Sequence, residues 1–176
     1  MVITALVAAT AAALWLYLYT GQLGNYHSAR SLQPDLYINQ PHWTLFDRQG
    51  QIRRQLRASR LEQWPDENRA RLTEPQLDIS DRKQHLWKAT ARRGHINPDD
   101  KSMLLEQEVV LKREPGNHDL VIKTGKLHIT QNGDAIETDD VVVLVSGSWQ
   151  FTTVGLRTSL GQQRMELLNK VRGRHE

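Results

Sequence analysis

The chain has 176 residues, with 23 Lys and Arg against 20 Asp and Glu and no cysteine. A net charge of only +3, with no interleaving of basic and aromatic residues, argues against a nucleic-acid surface. The lack of cysteine excludes a small disulfide-stapled scaffold.

Taken in order, the chain opens on an apolar run. Val2 to Tyr19 carries no charge, no Gly and no Pro. At about 1.5 Å per residue it spans roughly 27 Å as a helix, close to the hydrocarbon thickness of a bilayer. Trp15, Tyr17 and Tyr19 gather at its C-terminal end, where amphipathic rings favour the headgroup layer. No Lys or Arg precedes the run and no Ala-x-Ala follows it, so a retained tether is expected over a cleaved signal peptide or a buried core helix. This divides the chain into an anchor over residues 1–20, a linker over 21–34 rich in Gly, Asn and Ser, and one soluble domain over 35–176.

From Asp35 onward the pattern is short and alternating. His42 to Asp47 reads as a strand, and Asp47-Arg48-Gln49-Gly50 as a turn with Gly where a positive φ is needed. Gln51 to Gln63 returns; part of it would pass for helix, but Pro65 cuts it and both flanks read as strand. RARL, QLDIS, HLWKATAR, MLLEQEVVLKR, LVIKT, KLHIT, AIET, VVVLVSG and WQFTTV follow. Ten or more strands without a convincing amphipathic helix predict an all-β domain.

A loose internal repeat lies within it. The phrases ARLTEPQLDI (Ala70 to Ile79), MLLEQEVVLK (Met103 to Lys112) and AIETDDVVVL (Ala135 to Leu144) recur about every 32 to 35 residues. Each has apolar positions, a polar or acidic break, then a further apolar pair. The repeat implies strand-turn-strand units stacked along one axis, an elongated sandwich or open roll with usable edges. The tail RMELLNKV reads either as a short helix by propensity or as a C-terminal edge strand, and unpaired edges attract partners through backbone hydrogen bonds.

No catalytic constellation emerges. There is no Cys nucleophile, no G-x-S-x-G and no phosphate loop. The seven histidines are dispersed and never sit at metal spacing. Asp139 and Asp140 are adjacent, so in a strand they point to opposite faces and cannot pair as acid and base; they are expected to end a turn. A binding or structural role without enzyme activity, metal or cofactor is the better class. Trp43 and Leu45 share one face of their strand; so do Val141, Val143 and Val145, and Trp149 with Phe151. Facing an open interior, such rows would accept acyl chains; in a closed sandwich they are only core.

The residues that follow one another from Asp134 to Leu144 (DAIETDDVVVL), Gly147 to Arg157 (GSWQFTTVGLR) and Glu166 to Arg172 (ELLNKVR), behind a single N-terminal anchor, resemble the LptC family of lipopolysaccharide export proteins. The resemblance implies a twisted, open β-jelly-roll shared with the partner LptA, preceded by one transmembrane helix. It implies a cell inner membrane location with the domain in the periplasm, and an anchor associated with the LptBFG ATP-binding-cassette transporter. It further implies non-enzymatic receipt of lipopolysaccharide from that transporter and delivery to LptA, edge to edge. On this basis the expected groove residues are Trp43, Leu45, Leu77, Ile79, Val110, Ile122, Val143 and Phe151. The expected partner-facing residues are Glu166, Leu167, Leu168, Lys170, Val171 and Arg172 of the tail, with Gly147 as the glycine of the G-x-W-x-F element, where a side chain would disturb the strand. The alternative reading is a membrane-anchored scaffold with a closed core and no ligand.

Overall fold

The computed structural model describes residues 33–64, 67–81, 85–114, 120–130, 135–160 and 164–175. The expected anchor and nearly all of the linker lie outside the described residues. Residues 33–176 form a compact unit of their own.

Among the described residues every regular element is a strand. Eight short strands come first: β1 (Leu36–Asn39), β2 (His42–Phe46), β3 (Ile52–Arg57), β4 (Arg60–Gln63), β5 (Ala70–Thr73), β6 (Gln76–Ser80), β7 (Leu86–Thr90) and β8 (Arg93–Asn97). Five long ones follow: β9 (Ser102–Glu114), β10 (Leu120–Ile129), β11 (Ala135–Ser146), β12 (Trp149–Ser159) and β13 (Arg164–His175). All pairings are antiparallel.

The connectivity is simpler than the strand count suggests. β1 runs into β2 through Gln40-Pro41, β3 into β4 through Ala58-Ser59, β5 into β6 through Glu74-Pro75, and β7 into β8 through Ala91-Arg92. Each such pair behaves as one long strand with a break in its middle. Hydrogen bonds continue across these breaks. The Gln40 N–H donates to Ser59 O at 3.0 Å, Glu74 N–H to Arg92 O at 2.9 Å, and Arg92 N–H to Gln107 O at 2.9 Å. The long strands break at the same level. β9 carries Gln107 (φ 67°) and Glu108 (φ 55°) there, β12 carries Gly155 (φ 84°), and β13 carries Lys170 (φ 52°). The β10 register shifts on both sides of Gly125, and β11 shifts between Thr138 and Val141. Extra residues inserted into a ladder bend the strand and increase its twist. Stacked strand after strand, they form one crease across an antiparallel meander.

The crease divides the meander into two layers. One contains β1, β4, β5, β8 and the halves of β9 to β13 that pair alongside them. The other contains β2, β3, β6, β7 and the remaining halves. Their apolar faces meet in a single core. Leu61, Leu72, Leu105, Leu127, Ile136 and Leu156 come from the first layer, and Leu56, Leu77, Ile79, Leu111, Ile122 and Leu144 from the second.

The repeat acquires a physical meaning here. In all three phrases the polar break is the crease: Glu74-Pro75, Gln107-Glu108 and Asp139-Asp140. The apolar residues on either side line the two layers. Asp139 and Asp140 therefore sit in mid-strand rather than at the end of a turn. The Asp140 N–H, displaced from the ladder there, donates to Thr138 Oγ1 at 3.1 Å. LVIKT and KLHIT form one strand, β10; AIET and VVVLVSG form one strand, β11; and WQFTTV continues to Ser159. The tail is strand, not helix: Met165 and Leu167 pack against the core while charged neighbours alternate outward, a period of two that a helix cannot satisfy. The Asp47 turn forms as expected, with Gly50 at φ 79° and Asp47 Oδ1 accepting the N–H groups of Gln49 and Gln51, each at 2.9 Å.

Candidate functional site

The inner face of the second layer is built from register rows that run across the strands. One row passes from Trp43 to Leu56, Leu77, Ala89, Leu111, Ile122, Leu144 and Phe151, each opposite the next, and ends at Gly173. It reaches from β2 at one end of the meander to β13 at the other. Its middle is closed: Ala89, Leu111 and Ile122 are each 1% exposed, packed within the single core formed by both layers. Its N-terminal end is open, with Trp43 41% and Leu45 51% exposed. Phe46 and Ile52, paired at the β2–β3 hairpin, are exposed beside them. At the C-terminal end Phe151 is half-buried and stacks on exposed Trp149 with ring centroids 6.0 Å apart.

The structure brings together six of the eight residues expected to line a groove. Trp43, Leu45, Leu77, Ile79, Ile122 and Phe151 share the inner face. Val110 and Val143 do not: they lie in the row Val110–Lys123–Val143–Thr152–Arg172, on the opposite face. Along β11 the inward residues are Val142 and Leu144, both buried, while Val141 is 58% exposed. The sequence offered two parities for VVVLV. The richer valine row was the natural choice, but register is set by the neighbouring strand, and a slip of one residue exchanges the faces. Leu56, Leu111, Val142 and Leu144 belong to the same inner face. The polar doublets at the crease are the signal that would have located them, because they mark where alternation restarts.

The outer face is polar and paired. Glu106 lies 3.3 Å from both His95 Nε2 and Lys126 Nζ, and Glu137 lies 3.4 Å from His128 Nδ1 and 3.7 Å from the Arg157 guanidinium. Lys88 meets Glu114 at 2.7 Å, and that hydrogen bond raises its pKa above the ordinary lysine value. Solvent screens such pairs and leaves each of them little net stabilisation, so this face is a solvated surface. Among the described residues no three His, Asp or Glu side chains converge to hold a metal ion.

The edges complete the site. β1 pairs only with β4 and β2 only with β3, so the N-terminal edge of the meander has no neighbour among the described residues. β13 pairs only with β12. Glu166 and Leu167 lie opposite Arg157 and Leu156. Leu168 packs over Gly155 at the crease, Lys170 takes the positive φ of the bend, and Val171 is exposed with Arg172 beside it. Asn169 lies opposite Val154 at the β12–β13 register shift, and its carbonyl accepts the hydroxyl of buried Thr153, which the shift leaves without a register partner on β13, at 2.9 Å. Gly147 lies apart from this edge. It sits in the two-residue turn between β11 and β12 at φ 58°, the left-handed conformation such hairpins require, so it shapes a turn rather than a strand.

A family model described as "Lipopolysaccharide-assembly, LptC-related" matches residues 2–176. The chain belongs to the LptC family. No curated protein matches it closely enough to count as a relative. Family membership gives it a role in lipopolysaccharide transport, in a family of transport components rather than of enzymes. The creased, all-β meander is consistent with the jelly-roll expected of an LptC-family chain. Among the described residues no helix is long and apolar enough to cross a membrane.

Proposed function

We propose that this LptC-family chain is a passive segment of a lipopolysaccharide bridge. It would be anchored in the inner membrane by residues 1–20, with residues 35–176 in the periplasm. Acyl chains received from an LptBFG-type transporter at the β1–β2 edge would cross the inner face and leave to an LptA-like protein at the β13 edge. The observation that carries this reading is the apolar row from Trp43 to Phe151, which runs perpendicular to the strands from one unpaired edge to the other.

The direction of the row suits the task. Adding a strand to either edge extends the sheet by backbone hydrogen bonds, and it extends the inner face by the same step. The packed middle must part for a chain to pass, and the crease is the line about which two layers can open. Parting exchanges alkyl–alkyl contacts between layers for alkyl–acyl contacts with lipid. Each methylene kept from water is worth about 0.8 kcal/mol whichever partner covers it. The energy for directed movement then comes from the transporter.

A scaffold with a permanently closed core is the rival, and the burial of Ala89, Leu111 and Ile122 favours it. Photo-crosslinking separates the two. A crosslinker at Trp43, Leu144 or Phe151 of the full chain in membranes should label lipopolysaccharide, while Thr44 and Val143, on the outer face, should not. Labelling confined to the outer pair, or none at all, defeats the bridge reading.

A further inference from the structure

One register step from the apolar row lies a second inner-face row: Leu45, Arg54, Ile79, Trp87, Arg113, Leu120, Ser146, Trp149. It holds an indole N–H and two guanidinium groups on the inner face. Trp87 is 5% exposed and Arg113 half-buried. They face each other in the β7–β9 register, with the guanidinium carbon 5.9 Å from the indole centroid. The Trp87 Nε1–H and the Arg113 Nε–H are both buried, and neither has a hydrogen-bond partner among the described residues. Both residues line one cavity of about 180 Å³ between the layers, whose other walls include Leu120, Leu160 and Met165. Arg113 makes no ion pair among the described residues. The adjacent Glu114 is taken by Lys88. The one carboxylate among the described residues lining the cavity, Asp81, accepts from the His85 backbone N–H and lies against His85 Nδ1, each at 2.9 Å.

Two adjacent buried donors without acceptors are uncommon, since each forfeits its hydration for nothing. A phosphate in the cavity, with several anionic oxygens, would offer acceptors to both residues, and the guanidinium is the side chain best shaped for it. We infer that Trp87 and Arg113 form a phosphate-binding site on the inner face, for the phosphorylated headgroup of an acylated lipid whose chains lie on the neighbouring apolar row. The inference rests on the lipid-transfer reading above and adds what that reading leaves open: the chain selects its cargo by headgroup charge as well as by chain burial. A charged hydrogen bond lost from such a site costs about tenfold in affinity.

The test is binding of the full chain in detergent to bisphosphorylated lipid A and to the same lipid A with its phosphates removed. Inorganic phosphate serves as a third probe, and the Trp87 indole N–H signal in nitrogen-15 spectra, assigned by its loss in Trp87→Phe, reports on the site. The phosphorylated lipid should bind about tenfold more tightly than the dephosphorylated one and shift the Trp87 signal. Arg113→Gln should erase that difference and leave binding of the dephosphorylated lipid unchanged; Arg113→Lys should restore part of it, which also guards against a folding defect in the Gln variant. Equal binding of both lipids, insensitive to Arg113→Gln, overturns the phosphate site and leaves lipid transfer standing. Binding of neither lipid defeats the lipid-transfer reading itself. An equal Trp87 shift with inorganic phosphate alone assigns the site to a free anion and overturns the headgroup assignment.

Discussion

Val142 and Val143 are identical neighbours in one strand, and the crease decides which of them matters. Val142 is fully buried, in a row with Val109, Thr124 and Thr153, all likewise buried. Val143 lies on the outer face opposite Lys123 and Thr152. Val142→Ala removes two methyl groups from a packed interior. At about 0.8 kcal/mol per buried methylene plus a term for the cavity left behind, the loss is about 2 kcal/mol. Unfolding entropy is about 2.1 cal/mol/K per residue, and the compact unit runs from Gln33 to Glu176. The melting temperature should therefore fall by about 6 °C. Val143→Ala removes the same atoms from a half-exposed position and should cost under about 0.5 kcal/mol, or no more than about 2 °C. Thermal melts of the two variants, followed by circular dichroism at matched concentration, decide the matter. Equal shifts, or a larger shift for Val143→Ala, would refute the register assigned to β11 and with it the inner face on which the lipid argument rests.

Three further outcomes follow from the crease, the free edge and a surface carboxylate. Gly155→Ala should destabilise by about 1 to 3 kcal/mol, because φ 84° disfavours a Cβ and the new atom would lie 2.9 Å from Leu168 Cδ1; an unchanged melting temperature would show that the bend is not held there. Val171→Asp places a charge on the exposed part of β13 and should weaken pull-down of an LptA-like partner without lowering the melting temperature, as edge charges do in natural sheets; retained capture would move the docking surface elsewhere. Asp100 is held below the ordinary carboxylate range by hydrogen bonds from Ser102, whose backbone N–H donates at 2.8 Å. A depressed carboxylate stabilises the fold above its unfolded pKa and loses that contribution as pH falls through the folded value. Asp100→Ala should therefore lower the melting temperature near pH 7, and that loss should shrink as pH falls below the ordinary carboxylate range; a loss that does not change with pH would point to a cause other than ionisation.

Much of this protein was legible in its residues because strand alternation is a local property. The all-β class, the Asp47 turn and the three repeating phrases follow from side-chain spacing and turn chemistry within a few residues. The family resemblance is local too, resting on short stretches of β11, β12 and β13. The tail shows where local reading divides: RMELLNKV has good helix formers, and only β12, by burying Met165 and Leu167, makes it a strand.

Tertiary structure decided three things. It turned polar breaks into a crease, because a mid-strand bulge acquires direction only when neighbouring strands bulge at the same level. It chose the inner parity, putting Val142 and Leu144 in and Val110 and Val143 out, because the period of two leaves both faces open until a partner strand sets the register. It also brought Trp87 to Arg113, 26 positions apart in sequence but opposite one another across β7 and β9. Local composition and spacing establish that there are strands and what chemistry each one carries. Which residues meet depends on pairing between distant segments, and no local pattern encodes that.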